Sequence, residues 1–227
     1  MTPRPARKSL SRERVLAAAM RLADSEGLSA VTMRRLASSL GVEAMSLYHH
    51  LPGKEGLLDG LVEAVVAEVR AETVRAGQEG GGWRSELRSR CLTAREVMLR
   101  HPWAPGLIGS RRVIPVSLYG YFEEVLATLI CGGFSYHLGH RALHALGSMV
   151  LGFAQELFSP ATADGDVDTD AAEEDLAVMA DAFPHLTAMV SAELHDADDP
   201  TLGWCDSQAE FEFTLDLLLD GLDRARR

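Results

Sequence analysis

The feature that most restricts the fold of this chain is the run MRRLASSLGVEAMSLYHHLPG at residues 33–53. Met33, Leu36, Ala37 and Leu40 recur at helical spacing until Gly41 stops them, and a second apolar series through Leu47 and Leu51 is closed by Pro52-Gly53. Neither segment is long enough to be stable alone, so each must bury one face against neighbouring helices. Residues 11–26 supply one neighbour: Ser11 is a candidate N-cap, Val15, Leu16, Ala19 and Met20 keep the period, and Gly27 is a stop. Residues 54–77 supply another through Leu57, Leu61, Val62, Val65 and Val69, ending before glycines 80–82. Three helices, the last two joined by a glycine-containing turn, form a helix-turn-helix, whose outer face such units lay in the major groove of DNA.

Charge agrees with that placement. The 227-residue chain carries a net charge of −11, yet residues 1–54 hold nine Lys/Arg against four Asp/Glu. A basic head on an acidic body predicts a polyanion partner for the head alone. Nucleic acid fits better than an anionic membrane, because the head lacks a long amphipathic face rich in aromatics. No apolar run is long enough to span a membrane and no secretory signal is apparent, so the expected location is the cytoplasm. Cys91, Cys131 and Cys205 form no CxxC pair, which predicts small apolar roles rather than disulfides or a zinc site.

The run GLSAVTMRRLASSLGVEAMSLYHHLPGKEGLLDGL resembles the DNA-binding domain of the TetR family of bacterial transcriptional regulators. Its Thr-x-Arg start, Leu-Gly-Val turn, Ser-Leu-Tyr-x-His centre and following Lys carry the likeness. The resemblance implies that Thr32 caps the second helix and touches phosphate while Arg34 reads a base, with Arg35 beside it on the DNA side. Ala44, Met45 and Ser46 would face base edges, Tyr48, His49 and His50 the backbone, and Lys54 would anchor the fourth helix to phosphate. Basic residues 4–14 are placed to track the backbone or the minor groove.

The remainder reads as helical too, so the expected fold is all-α. Residues 1–54 form a basic arm and helix-turn-helix domain, 55–83 a connecting helix and linker, and 84–227 an effector-binding and dimerisation domain. Helices are expected at 84–101, ending at Pro102 and Pro105, at 117–131, and at 136–158, the last apolar on most sides and so buried or at a subunit interface. A final helix aligns Phe211, Leu215, Leu218, Leu219 and Leu222, a candidate homodimer interface. The acidic segment 159–175 is expected to be a solvated loop, its alternate aspartates lacking the glycine and glutamate of a calcium loop.

LGSMVLGFAQE, FEFTLDLLLDGL and GGFS resemble the tetracycline-repressor subgroup. That likeness implies a ligand cavity, with Ser148 at a polar pocket position and Glu156 matching an acid supplied by the partner subunit. Leu107 or Ile108 stands where those repressors carry the histidine that holds drug-bound magnesium. Tetracycline–magnesium is therefore not the expected effector, and an apolar small molecule is. Candidate pocket residues are Trp103, Leu107, Arg111, Tyr119, Phe122, Ser148, Met149, Phe153 and Glu156. His137, His140 and His144 share a helix face, but three imidazoles from one helix rarely converge on one ion, so no metal is expected. No phosphate loop, GxSxG or HExxH occurs, which argues against an enzyme and a cofactor. The expected function is a homodimeric repressor that a small molecule releases from double-stranded operator DNA. The alternatives are a ligand-independent architectural protein and an activator.

Overall fold

Ser11 opens the first helix as the sequence suggests: its hydroxyl accepts a hydrogen bond from the Arg14 amide at 3.3 Å. From there the computed structural model describes residues 10–76, 81–153, 180, 182–193 and 207–227. The helices are α1 (Arg12–Glu26), α2 (Met33–Leu40), α3 (Ala44–Tyr48), α4 (Gly53–Ala76), α5 (Gly82–Arg100), α6 (Ala104–Ser110), α7 (Val116–Cys131), α8 (Tyr136–Gly152), α9 (Pro184–Glu193) and α10 (Ser207–Arg226). No strand occurs among the described residues, so the all-α expectation holds. None of the described helices is long and apolar enough to cross a membrane.

The short α2 and α3 are held as their spacing predicts. Leu36, Leu47 and Leu51 are buried in one cluster with Val15 and Ala19 of α1 and Leu57 and Leu61 of α4. Each such side chain stabilises by about 1.5–3 kcal/mol when fully buried. The same cluster extends to Leu107 of α6 and Leu118 of α7, so the head and the neighbouring helices share one core.

Two compact units divide the chain, Met1–Ala154 with Leu219–Arg227, and Gln155–Leu218. In the first unit the end of α10 is fixed by Arg226. Its guanidinium lies 5.3 Å from the Trp83 ring and 5.8 Å from that of Phe134, and donates to the Gly132 carbonyl at 2.6 Å. Trp83 and Phe134 meet edge to face at 4.7 Å. Gly132 permits this approach, since a Cβ there would stand 2.7 Å from the Trp83 Cβ. Gly132→Ala should therefore cost about 1–3 kcal/mol of overpacking and lower Tm by roughly 3–10 °C in a thermal melt. An unchanged Tm would mean that Trp83 moves aside without loss.

Two expectations, for α8 and for the final helix, need correction. Helix α5 ends at Arg100, just before Pro102, as expected, while the separate short α6 that follows, with Pro105 in its first turn where the missing N–H goes unneeded, was not anticipated. Helix α9, opened by Pro184, was not anticipated. Helix α8 is not apolar all round: Gly139, Ala142, Leu146, Met149 and Val150 are buried, while His137, His140, His144, Gly147 and Ser148 are exposed. Phe211, Leu215, Leu219 and Leu222 are buried within a single copy and Leu218 partly so, which leaves little of that stripe for a second copy. The apolar side chains α10 does expose are Phe213 at 62% and Leu217 at 53%. The acidic segment 159–175 and the far end of the expected helix at 136–158 lie outside the described residues.

Candidate DNA-reading face and effector cavity

Thr32 caps α2: its Oγ1 accepts from the Arg35 amide at 3.3 Å, with Thr32 itself extended and exposed. Gly41 ends the helix in the left-handed region at φ 65°, where glycine carries no Cβ penalty, and the Val42 amide donates back to the Ala37 carbonyl at 3.0 Å. This turn aims α3. Leu47 points into the core and the opposite side is left outward, with Met45 72% and Tyr48 49% exposed. Ala44, Ser46 and His50 are half-buried, and His49 and Lys54, in the first turn of α4, are exposed.

The two arginines of α2 differ. Arg35 places its Nη2 2.6 and 2.7 Å from the two Glu26 carboxylate oxygens at the end of α1. Arg34 is exposed and has no ion pair among the described residues, so its guanidinium is open to a base edge. Of the basic arm, Arg12 is engaged by Glu63 of α4, and residues 1–9 lie outside the described part.

Helices α4, α5, α7 and α8, with the end of α6, surround a cavity of about 480 Å³. Its walls are largely apolar: Val66 and Val69 from α4, Leu87, Ala94 and Met98 from α5, Leu118, Phe122 and Val125 from α7, Leu143 and Leu151 from α8. Polar atoms enter at two places. Arg90 is 8% exposed and donates to Glu86 at 3.0 and 3.2 Å and to Glu124 at 3.4 Å, while the Thr128 hydroxyl donates to Glu86 at 2.7 Å. Glu124 also pairs with Arg70 of α4. Beside them, burial pushes the Tyr121 phenol up to about 12, and its hydroxyl has no hydrogen-bond partner among the described residues. Burial likewise pushes the Cys91 thiol up to about 12, so both groups stay neutral. Across the cavity His140 and His144 meet edge to face at 4.7 Å near Ser148.

Of the residues expected in the pocket, Phe122 and Ser148 line it. Tyr119 does not: the inward face of α7 runs through Leu118, Tyr121, Phe122 and Val125, and Tyr119, out of phase with it, is 56% exposed. Trp103 instead donates its indole N–H to Asp24 of α1 at 2.7 Å. Leu107 belongs to the core shared with the head. Arg111 reaches Glu55 at 2.9 Å and Asp59 at 2.6 Å in the first turns of α4. Met149 is buried off the cavity wall, and the Phe153 carbonyl accepts from Arg95 at 2.9 Å. Glu156 lies outside the described residues. The signal for the missed Arg90, Tyr121, His140 and His144 was helical phase, read jointly on three helices. Among the described residues no group of three His, Cys, Asp or Glu could hold a metal ion.

The sequence matches two family descriptions, "Bacterial regulatory proteins, tetR family" over residues 15–61 and "Tetracyclin repressor-like, C-terminal domain" over residues 76–226. The chain belongs to the TetR family. It is 38% identical to the HTH-type transcriptional repressor DrrR1 of Streptomyces coeruleorubidus over 56% of this chain and 45% of that one. To the class D tetracycline repressor protein of Escherichia coli it is 32% identical over 65% and 66% of the two chains. The chain thus spans about half the length of the DrrR1 repressor. The solved structure of ActR from Streptomyces coelicolor in complex with actinorhodin superposes with a TM-score of 0.73 at 27% identity, covering 96% of this chain and 99% of that one. The α2–α3 pair falls within the stretch that the first description matches and is the helix-turn-helix.

Proposed function

We propose that this TetR-family protein is a homodimeric repressor that leaves a palindromic operator when a small molecule fills the 480 Å³ cavity. One observation carries the reading: α4, which bears Lys54 at its DNA end, forms a cavity wall through Val66 and Val69. A second link runs alongside. Ile108 and Ile114 line the cavity, and Arg111 between them holds Glu55 and Asp59 next to Lys54. A ligand that displaces either wall moves the start of α4 and with it the spacing of the two heads, which must read half-sites about 34–36 Å apart. Such coupling is typically about 1–3 kcal/mol, or roughly 5- to 150-fold in operator affinity. The dimer would be completed by side chains that one copy leaves exposed, Phe213 and Leu217 among them.

The cavity also describes its ligand. Its size suits a drug-sized molecule. Apolar walls with hydrogen-bonding groups at Arg90–Tyr121 and at His140–His144–Ser148 fit a flat, largely apolar compound bearing oxygens at both ends. Neither Leu107 nor Ile108, one of which the resemblance places where the magnesium-bearing histidine stands, offers a metal ligand, which speaks against a chelated tetracycline. ActR, the structural relative, was solved with actinorhodin bound.

The test is operator release by planar aromatic hydroxyketones, followed by fluorescence anisotropy for the native protein and Gly147→Trp. A Cβ at Gly147 meets nothing within 4 Å, so the indole can enter the cavity without backbone strain. The variant should hold the operator with unchanged affinity and need at least about 10-fold more compound for release. Equal sensitivity of the two proteins would remove the cavity from the mechanism.

A further inference from the structure

His101, which ends α5, was not singled out by its sequence context, yet it is 7% exposed and stands between two carboxylates from different elements. Its Nδ1 lies 2.7 Å from Asp24 Oδ1 on α1, and its Nε2 lies 3.3 Å from Glu68 Oε2 on α4. A neutral imidazole carries one N–H, and an ionised carboxylate only accepts. Both contacts are hydrogen bonds only when the ring carries two protons. We propose that His101, as an imidazolium, is a proton-dependent positioning residue that ties the recognition head to the ligand-binding helices.

The surroundings fit that role. Asp24 is held from a second side by the Trp103 indole, and Glu68 by Arg100, which also reaches Glu72 of α4 at 2.7 Å. The charged groups around the ring are thus Asp24, Glu68, Glu72 and Arg100, three acids and one base besides the imidazolium. Two residues beyond Asp24, Glu26 holds Arg35 at the start of α2, beside Arg34. Three residues before His101, Met98 lines the cavity. Removal of the proton leaves a lone pair against one carboxylate, so that contact opens and the end of α1 is less firmly placed. The tie holds while the ring carries both protons and opens when one of them is lost.

Nitrogen NMR of the full chain labelled at histidine should show a His101 ring with both nitrogens protonated at about pH 6. His101→Gln should lower Tm by roughly 5 °C at about pH 6 and by under about 2 °C at about pH 8.5, whereas a plain packing role would give one gap at both. With an operator duplex recovered by selection, native affinity should fall at least about 3-fold more than that of His101→Gln across the same range, His49 and His50 being common to both proteins. A ring with one proton at the acid end, or a Tm gap independent of pH, would overturn the tie. Parallel affinity profiles would overturn its role in placing the head. The first two readouts need neither operator nor effector and stand apart from the repressor reading.

Discussion

Arg34→Ala is expected to remove recognition of one base pair in each half-site. Arg34 is exposed on α2 without an ion pair among the described residues, and its guanidinium can bond to guanine O6 and N7 together. Such an interaction discriminates by about 1–3 kcal/mol, and two half-sites contribute roughly additively, about 2–6 kcal/mol in all. Operator affinity should fall by roughly 30-fold or more, while affinity for scrambled duplex hardly changes. Lys54→Ala supplies the contrast. A lysine on phosphate adds affinity without sequence information, so all duplexes should weaken together and the slope of log K against log salt should flatten by about 0.9 for each phosphate no longer neutralised. Fluorescence anisotropy on operator and scrambled duplexes across salt concentrations separates the two. Equal weakening on both duplexes for Arg34→Ala would move that residue from base reading to the DNA backbone.

Arg90→Met is expected to be strongly destabilising. Glu86 and Glu124 would keep their charges beside an apolar cavity with one cation gone; Glu124 would retain Arg70, and Glu86 only the Thr128 hydroxyl. Stripping one partner from a buried pair costs about 3–5 kcal/mol. Here the lower end applies, because the glutamate side chains are 25% and 35% exposed. Tm should fall by roughly 6–12 °C. Changing Glu86 and Glu124 to Gln in the same protein should restore most of that stability. The Arg35–Glu26 pair gives the scale for comparison: with both side chains near half exposed, its removal should cost under about 1 kcal/mol. A melt of Arg90→Met within about 2 °C of the native protein would mean that water already screens the cluster.

What the sequence shows and what it hides follows from the range of each interaction. The head is legible because its determinants are local: Ser11 and Thr32 cap, Gly41 turns, and Leu36 and Leu47 repeat at helical spacing. The cavity is only partly legible, since the side of α7 that lines it depends on where α5 and α8 lie. Tyr121 and Tyr119, two positions apart in one helix, are told apart only by the phase of α7 read against its neighbours. A buried apolar stripe and an interface stripe also look alike, which is why Phe211 and Leu215 read as a surface for a second copy when each is buried within one. His101, Asp24 and Glu68 are brought together from three helical segments, and no local pattern announces an interaction between residues 77 positions apart.

Selection from random duplex DNA by the purified protein at about 0.15 M salt decides whether this protein reads a two-fold operator, since non-specific phosphate binding is already weakened there. A dimeric operator-binding repressor should recover a palindrome whose half-sites lie one helical turn apart, with a base preference that Arg34→Ala relaxes. Recovery of no preferred sequence, or of one lacking two-fold symmetry, would contradict a dimeric operator-binding repressor.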